Sequence, residues 1–344
     1  MDAQSRMPKN ADGYCVATDV PCHTNAVDVR NHFKYDMGKV ERIVVLGDLH
    51  YTESADSERA ALWRTDGIPR ILAAAGCVAR DSGAALALQI GDLVSGEEAD
   101  GATAHEALIS RAMHRLESAL SGVELAVVPG NHDRCGKGGS EAWTHVVSPV
   151  NISIALGDDA LVLLDSNAPD ETFAALPRLI TETTNCRRLF VALHHPVIPC
   201  YYGLSYRSIF LGEPERDAER MEALRLLARR HAIVLCGHVH TNGFIDWRDE
   251  DGGRIVQLHF SSLWDGGEPS LRPVYASPDE YGRSFEREGR TDAALFFAPF
   301  RKGLAAYRHF DGAGFALVES NPNMVSVSLF GGGVSDNPSL TVTI

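Results

Sequence analysis

The sequence lacks the marks of several protein classes. No uninterrupted apolar stretch is long enough to span a bilayer, so no membrane association is expected. Arg6 and Lys9 stand near the N-terminus with no apolar run behind them, so a secretory leader is not expected. Cysteine is sparse and unpatterned. The seven (Cys15, Cys22, Cys77, Cys135, Cys186, Cys200 and Cys236) are odd in number and include no Cys-x-x-Cys. They read as reduced, mostly buried thiols rather than a disulfide frame, and the expected compartment is the cytoplasm. Positive charge is in deficit: Lys and Arg number 32 against 46 Asp and Glu, a net charge of −14. A nucleic-acid surface needs clustered Lys and Arg to displace counterions from phosphates, so general nucleic-acid binding is not expected either. An enzyme acting on a phosphate ester is not excluded, because metal ions supply local positive charge that a residue count does not see.

What is present is a globular composition. Of 344 residues, 44% are hydrophobic and 23% charged, enough for one large domain or two small ones around a substantial core. Residues 1–40 are polar and irregular and read as an N-terminal arm, with one domain over 41–344. Apolar runs of strand length fall at Arg42–Leu46, Leu86–Ile90, Glu124–Val128, Ala160–Leu164, Leu189–Leu193 and Ala232–Cys236. Helical spacing lies between several of them. Leu108, Ala112, Leu116 and Leu120 share a face of Glu106–Leu120, and Met221, Leu224 and Leu227 share a face of Asp217–Arg230. Strands alternating with helices predict an α/β protein with a parallel or mixed sheet. After Arg254 the pattern turns to strands without clear helices, at Ile255–Phe260, Phe315–Glu319, Met324–Leu329 and Leu340–Thr343. The Gly-, Pro- and Arg-containing stretch 265–310 reads as an insertion or a lid.

The 14 histidines are the feature to follow, since neutral imidazole is the commonest metal ligand. Polar residues cluster where strands end. Arg42–Leu46 runs into Gly47-Asp48-Leu49-His50, and Leu86–Ile90 into Gly91-Asp92. Glu124–Val128 runs into Pro129-Gly130-Asn131-His132-Asp133, Leu189–Leu193 into His194-His195-Pro196, and Ala232–Cys236 into Gly237-His238-Val239-His240. In open α/β sheets ligands bind outside the carboxyl ends of the strands, so these turns converge on one predicted site. Carboxylate with imidazole and no thiolate suits Zn, Fe or Mn and argues against a structural zinc site. A bridging carboxylate with N and O ligands on either side holds two ions roughly 3.5–4 Å apart, which clamp phosphoryl oxygens and lower the pKa of a bound water.

At these residues the chain resembles the calcineurin-like metallophosphoesterase superfamily. That family's ordered signature is Asp-x-His, Gly-Asp, Gly-Asn-His-Asp/Glu, a His, then Gly-His-x-His, and every block occurs in order over residues 47–240. The first and second blocks carry little weight alone; the ordered set behind strand-like runs is specific. The resemblance implies a four-layer αββα sandwich of two mixed sheets and a binuclear site of Mn, Fe or Zn. It implies that Asp48, His50 and His240 hold the first metal, Asp92 bridges, and Asn131, His194 and His238 hold the second. His132 would act as a general acid or hydrogen-bond donor, with Asp133 orienting its imidazole. Two departures are visible: Gly47 stands where many members have Ser, and Gly91-Asp92-Leu93-Val94-Ser95 lacks the later acidic residue often present. Neither removes a ligand. Of the adjacent histidines, His194 is taken as the ligand because it directly follows the strand, leaving His195 as a neighbour that faces substrate or supports the ligands from behind.

Other residues are weighed against ordinary packing. His23, His32, His105, His114, His145, His231 and His309 read as structural or surface histidines, His105 and His114 on a solvated helix face. His259, in a strand-like run after the last motif, is a candidate for the substrate side, as are Tyr201, Tyr202 and Tyr206; Arg134 and Lys137 are weak candidates for phosphate contact. Asp165 reads as a turn residue. The expected activity is hydrolysis of a small phosphodiester, of cyclic nucleotide or glycerophosphodiester type, by metal-bound hydroxide. A phosphomonoesterase comes next and a nuclease behind it. A scaffold or binding module that keeps the fold without catalysis is the reading from another class, and bound metal discriminates it. The oligomeric state stays open.

Overall fold

The computed structural model describes residues 40–53, 67–96, 99–136, 138–147, 150–200, 208–263, 272–275, 297–331, 338 and 340–344. The N-terminal arm, apart from Val40, lies outside these residues, as do Tyr201, Tyr202, Tyr206, Lys137 and much of 265–310.

The alternation predicted from the sequence is present, with more elements than the patterns showed. In chain order they are β1 (Glu41–Leu46), α1 (Gly67–Ser82), β2 (Leu86–Gln89), α2 (Ala102–Ala119), β3 (Glu124–Val127), α3 (Asn131–Arg134) and α4 (Gly139–Val146). Next come β4 (Ile152–Leu156), β5 (Asp159–Leu163), α5 (Pro169–Glu182), β6 (Leu189–Ala192), α6 (Asp217–Arg229) and β7 (Ile233–Cys236). The chain ends in β8 (Asn242–Arg248), β9 (Arg254–His259), β10 (Arg272–Tyr275), β11 (Leu304–Asp311), β12 (Gly314–Ser320), β13 (Val325–Gly331) and β14 (Leu340–Thr343).

They form two mixed sheets. One has six strands in the order β14-β13-β12-β1-β2-β3, the other eight in the order β10-β11-β8-β9-β7-β6-β5-β4. β1, β2 and β3 run parallel, as do β5, β6, β7 and β9, and β12 pairs antiparallel with β1. Alternate residues of each central strand face opposite layers, which is why these strands read as continuous apolar runs. Ile43 and Val45 of β1 meet Phe190 of β6, Leu235 of β7 and Leu258 of β9 in the core between the sheets. Val44 and Leu46 point outward against Ile71, Leu72, Leu108, Ala112, Leu116 and Trp143 of α1, α2 and α4. On the far side, Val191, Val234 and Ile255 pack under Leu176 and Leu179 of α5 and Leu224 and Leu227 of α6. The layers are therefore helix, sheet, sheet, helix. Burying a side chain such as Phe190 completely contributes about 1.5–3 kcal/mol, and the central core repeats this along every strand.

Two pieces of the 265–310 stretch, β10 and β11, are strands of the eight-stranded sheet, β11 pairing antiparallel with β8. His105 is a correction: it is fully buried in α2, against Gly96 and Gly139, where a solvated face was expected. Among the described residues, Cys77, Cys135, Cys186, Cys200 and Cys236 are free thiols, of which Cys200 and Cys236 are buried. No described helix is long and apolar enough to cross a membrane.

Candidate metal centre

The parallel strands of both sheets deliver their carboxyl ends to one place. The Asp48 turn after β1 hooks onto the Asp92 turn after β2: the amides of Leu49 and His50 donate to the Asp92 carbonyl at 2.9 and 2.8 Å. The amide of Leu263, beyond β9, donates to the Asp48 carbonyl at 3.0 Å, tying the two sheets together under the site. His50, Asp92, His238 and His240 all have positive φ, 47°, 51°, 69° and 51°, in the left-handed region that costs non-glycine residues energy. That strain is concentrated where side chains must be aimed inward. Gly91 (φ 97°) and Gly130 leave the needed space, since a Cβ at Gly91 would collide with the His194 ring and one at Gly130 with Asp92.

The side chains converge in two groups. Asp48, His50, Asp92 and His240 each offer a ligand atom within 4.8 Å of the others, and Asp92, His194 and His238 do the same. Asp92 belongs to both. Its Oδ2 lies 3.3 Å from His194 Nε2 and 3.6 Å from His50 Nε2, as a bridging carboxylate requires. His240 Nε2 is 2.9 Å from Asp48 Oδ2 and 3.2 Å from His50 Nε2. In the second group His194 Nε2 is 3.1 Å from Asn131 Oδ1 and 3.2 Å from His238 Nδ1. Lone pairs of two imidazoles facing each other at such distances are stable only with a cation or a proton between them. His194 Nδ1 sits 3.0 Å from the Ile90 carbonyl, which takes the Nδ1 proton and leaves Nε2 as the ligand atom. The predicted metal residues are thus all brought together, with His194 in the second group and His195 beside it.

The electrostatics favour a cation as well. Burial alone would raise the Asp92 carboxyl, but His194, His50 and His132 hold it well below the usual carboxylate range. Burial pulls His194 down, yet Asp92, Asp48 and the Ile90 carbonyl outweigh it and lift the imidazole to about 9. His240 is raised in the same way by Asp48 against its burial, while His238 is pushed down to about 3 by burial and by His194. Buried carboxylates that hold protons on neighbouring imidazoles hold divalent cations in their place.

His132 opens the helical turn α3 and borders the site. Its backbone amide donates to Asp92 Oδ1 at 2.9 Å, its Nε2 lies 3.9 Å from Asp92 Oδ2, and its ring is edge-on to His50 at 4.7 Å. Asp133 differs from expectation. It does not reach the His132 ring: its buried carboxylate accepts from the amides of Gly130, Val94 and Leu93 at 2.7, 2.9 and 3.2 Å. Adjacent residues of a helical turn point in different directions, so Asp133 braces the two motif turns instead of orienting the imidazole. Burial and the Asp92 charge push it up to about 7 despite the three donors.

His195 is buried beside His238, ring centroids 4.5 Å apart, with its Nδ1 2.8 Å from Ser166 Oγ. His259 is a correction. It is fully buried against Gly243 and lies 6.0 Å, centroid to centroid, from the His309 ring, offering no surface to a substrate. Arg134, a weak candidate for phosphate, is ion-paired to the buried Asp165. The turn Asp165-Ser166-Asn167 after β5 is the part of the site that sequence reasoning missed. No motif marks it, and the position of Asp165 directly after a strand-like run was the one available signal.

Comparison with known proteins follows the same lines. The family model described as calcineurin-like phosphoesterase matches residues 41–242. No curated protein matches the chain. A dimetal phosphatase from Danio rerio is similar in structure, with a TM-score of 0.52 at 14% identity over 88% of this chain and 98% of that one. A purple acid phosphatase from yellow lupin (Lupinus luteus) seeds gives 0.55 at 14% identity over 90% of this chain and 54% of that one. The anchor in the inner membrane complex of Plasmodium gives 0.53 at 11% identity over 89% of each. At these identities the likeness is one of fold.

Proposed function

The chain belongs to the calcineurin-like phosphoesterase family and is a metal-dependent phosphoester hydrolase, and on that premise we propose that its two ligand clusters hold a pair of metal ions serving the hydrolysis of a small phosphodiester. The observation that carries this reading is Asp92, whose Oδ2 is shared between His50 on one side and His194 on the other. Asp48, His50 and His240 complete the first position; Asn131, His194 and His238 complete the second. The neutral Asn131 carbonyl oxygen suits a position where Asp92 already supplies negative charge. Mn, Fe or Zn fits this N/O donor set. When bound, two such ions supply charge stabilisation to the phosphoryl oxygens and a nucleophilic water at neutral pH.

The chain's own residues do the rest. His132, partly exposed at the rim, is placed to donate a proton or hydrogen bond to the leaving oxygen. Asp133 fixes the turn that carries it. The Gly-Asn-His-Asp and His-His-Pro blocks, which resemble those of the cyclic nucleotide and glycerophosphodiester branch, support a diester. The pairing of Arg134 with Asp165 supports it too, since a diester carries one negative charge and needs less neutralisation than a dianionic monoester. A phosphomonoesterase remains the second reading. A purified chain assayed with and without chelator on a phosphomonoester, an acyclic diester, and 3′,5′- and 2′,3′-cyclic nucleotides separates them. The expected result is chelator-sensitive turnover highest on a diester; highest turnover on the monoester would overturn the diester assignment.

A further inference from the structure

The turn Asp165-Ser166-Asn167 joins the Pro129–Arg134 segment that carries Asn131 to the His195 that follows His194. Asp165 pairs with Arg134 at the end of α3, and Asn167 Nδ2 donates to the Pro129 carbonyl at 2.9 Å. Between them, Ser166 Oγ makes two contacts with one residue: it accepts from the His195 backbone amide at 3.1 Å and lies 2.8 Å from His195 Nδ1. Among the described residues the Ser166 hydroxyl has no other hydrogen-bond partner, and Ser166 is buried, so the direction of the second bond follows from where its hydroxyl proton goes. If Nδ1 carried a proton and donated it, the hydroxyl proton would be buried with no acceptor. If the hydroxyl donates to a bare Nδ1, every proton has a place. The second arrangement puts the ring proton on Nε2. Among the described residues that atom makes no hydrogen bond, and it is not sealed from solvent. The ring carrying it lies 5.1 Å, centroid to centroid, from His194 and 4.5 Å from His238, both at the second metal position.

We propose that Ser166 is a positioning residue that fixes His195 as its Nε2–H tautomer, and that this Nε2–H donates a hydrogen bond to the phosphoryl group of the substrate beside the second metal position. The identity of the ligand rests on the phosphoesterase reading; the tautomer does not. This gives the second histidine of the His-His-Pro block a role separate from that of the first. His194 spends its Nδ1 proton on the Ile90 carbonyl and turns a bare Nε2 inward as a ligand, while His195 is held in the opposite tautomer by a hydroxyl and turns its Nε2–H to the substrate. An exchange of roles would set a bare His194 Nδ1 against the Ile90 carbonyl oxygen and leave the Ser166 hydroxyl proton without its acceptor.

Two measurements on the full chain test it. Long-range proton–nitrogen correlation on the 15N-labelled, chelator-treated protein reads the His195 tautomer directly. Nε2 is expected to be protonated and Nδ1 bare in the wild type and in Ser166→Thr, with the preference lost in Ser166→Ala. A wild-type ring protonated on Nδ1, or a tautomer indifferent to Ser166→Ala, overturns the positioning role. Calorimetry of inorganic phosphate on the Mn²⁺-loaded chain reads the donor. His195→Leu is expected to weaken binding about tenfold, and Ser166→Ala by a smaller factor that Ser166→Thr restores. Unchanged phosphate affinity in His195→Leu at full metal content overturns the donor role, and so does loss of metal in that variant, which would assign the ring to supporting His238. If the wild type itself binds no phosphate, the phosphoesterase reading fails and the donor role falls with it, while the tautomer is decided by the first measurement.

Discussion

At the scale of single residues, position at a strand end separates a functional histidine from an ordinary one, but side-chain direction separates roles. Asp92 supplies the shared oxygen, so Asp92→Asn is expected to lower kcat/KM on a chromogenic phosphodiester about a hundredfold or more while far-UV circular dichroism stays native. Wild-type-like turnover in that variant would remove Asp92 from the centre of the site. His132→Ala is expected to cut kcat by about 10²–10⁴ with metal content retained, as the loss of a proton donor should. His259 gives a stability prediction. Both of its buried ring nitrogens lack hydrogen-bond partners, and burial together with His309 holds it well below the ordinary value of 6.5. The folded chain therefore cannot take up a proton that the unfolded chain accepts. Stability is full above the unfolded pKa and falls as pH drops below it, by about 1.4 kcal/mol per pH unit. Denaturant melts of His259→Leu from pH 7 to 5 should show a shallower acid loss than the wild type; parallel curves would contradict it. The candidate metal ligands were legible because their residue types stand in fixed order. Asp133, Ser166 and His259 were not, because their roles depend on contacts that sequence spacing does not encode.

Elements were legible in proportion to how deeply they are buried on both faces. β1, β2, β6 and β7 sit inside the sandwich, so their sequences are mostly apolar runs ending in motif turns. β4 is an edge strand whose short Ile-Ser-Ile alternation is half solvated, and β8 carries Asp246 within its run, ion-paired to Arg254 of the neighbouring β9. α5 holds Pro169 in its first turn, where a missing amide costs nothing, but Pro177 in its interior disguises the helical spacing. The turns between elements are where fold and chemistry meet. Gly130→Ala forces a methyl group into Asp92 and is expected to destabilise the protein by about 1–3 kcal/mol and to lower its metal content together with its activity. Thermal melts and metal analysis of the purified variant check this. A variant that keeps its full metal complement would show that the turn has room the structure does not give it.

For the whole molecule, the acidic balance and the phosphate-ester activity are compatible because the charge count ignores what the site binds. Asp48 and Asp92 belong to the 46 acidic residues, yet two divalent cations in the proposed centre would outweigh them. The same cations link site to fold, since ligands from both sheets meet there: Asp48 and Asp92 follow β1 and β2, and His194 and His238 follow β6 and β7. Metal that binds only the folded chain stabilises it by about 2.7 kcal/mol at a hundredfold excess over Kd, so chelation is expected to lower Tm and Mn²⁺ or Zn²⁺ to restore it. The most direct test of the binuclear phosphoesterase centre is the metal content per chain, measured beside hydrolysis of a chromogenic phosphodiester before and after chelation. The account predicts two ions per chain and activity that disappears with chelator and returns with added Mn²⁺. A chain that binds no metal, or hydrolyses the ester undiminished without it, would contradict the account.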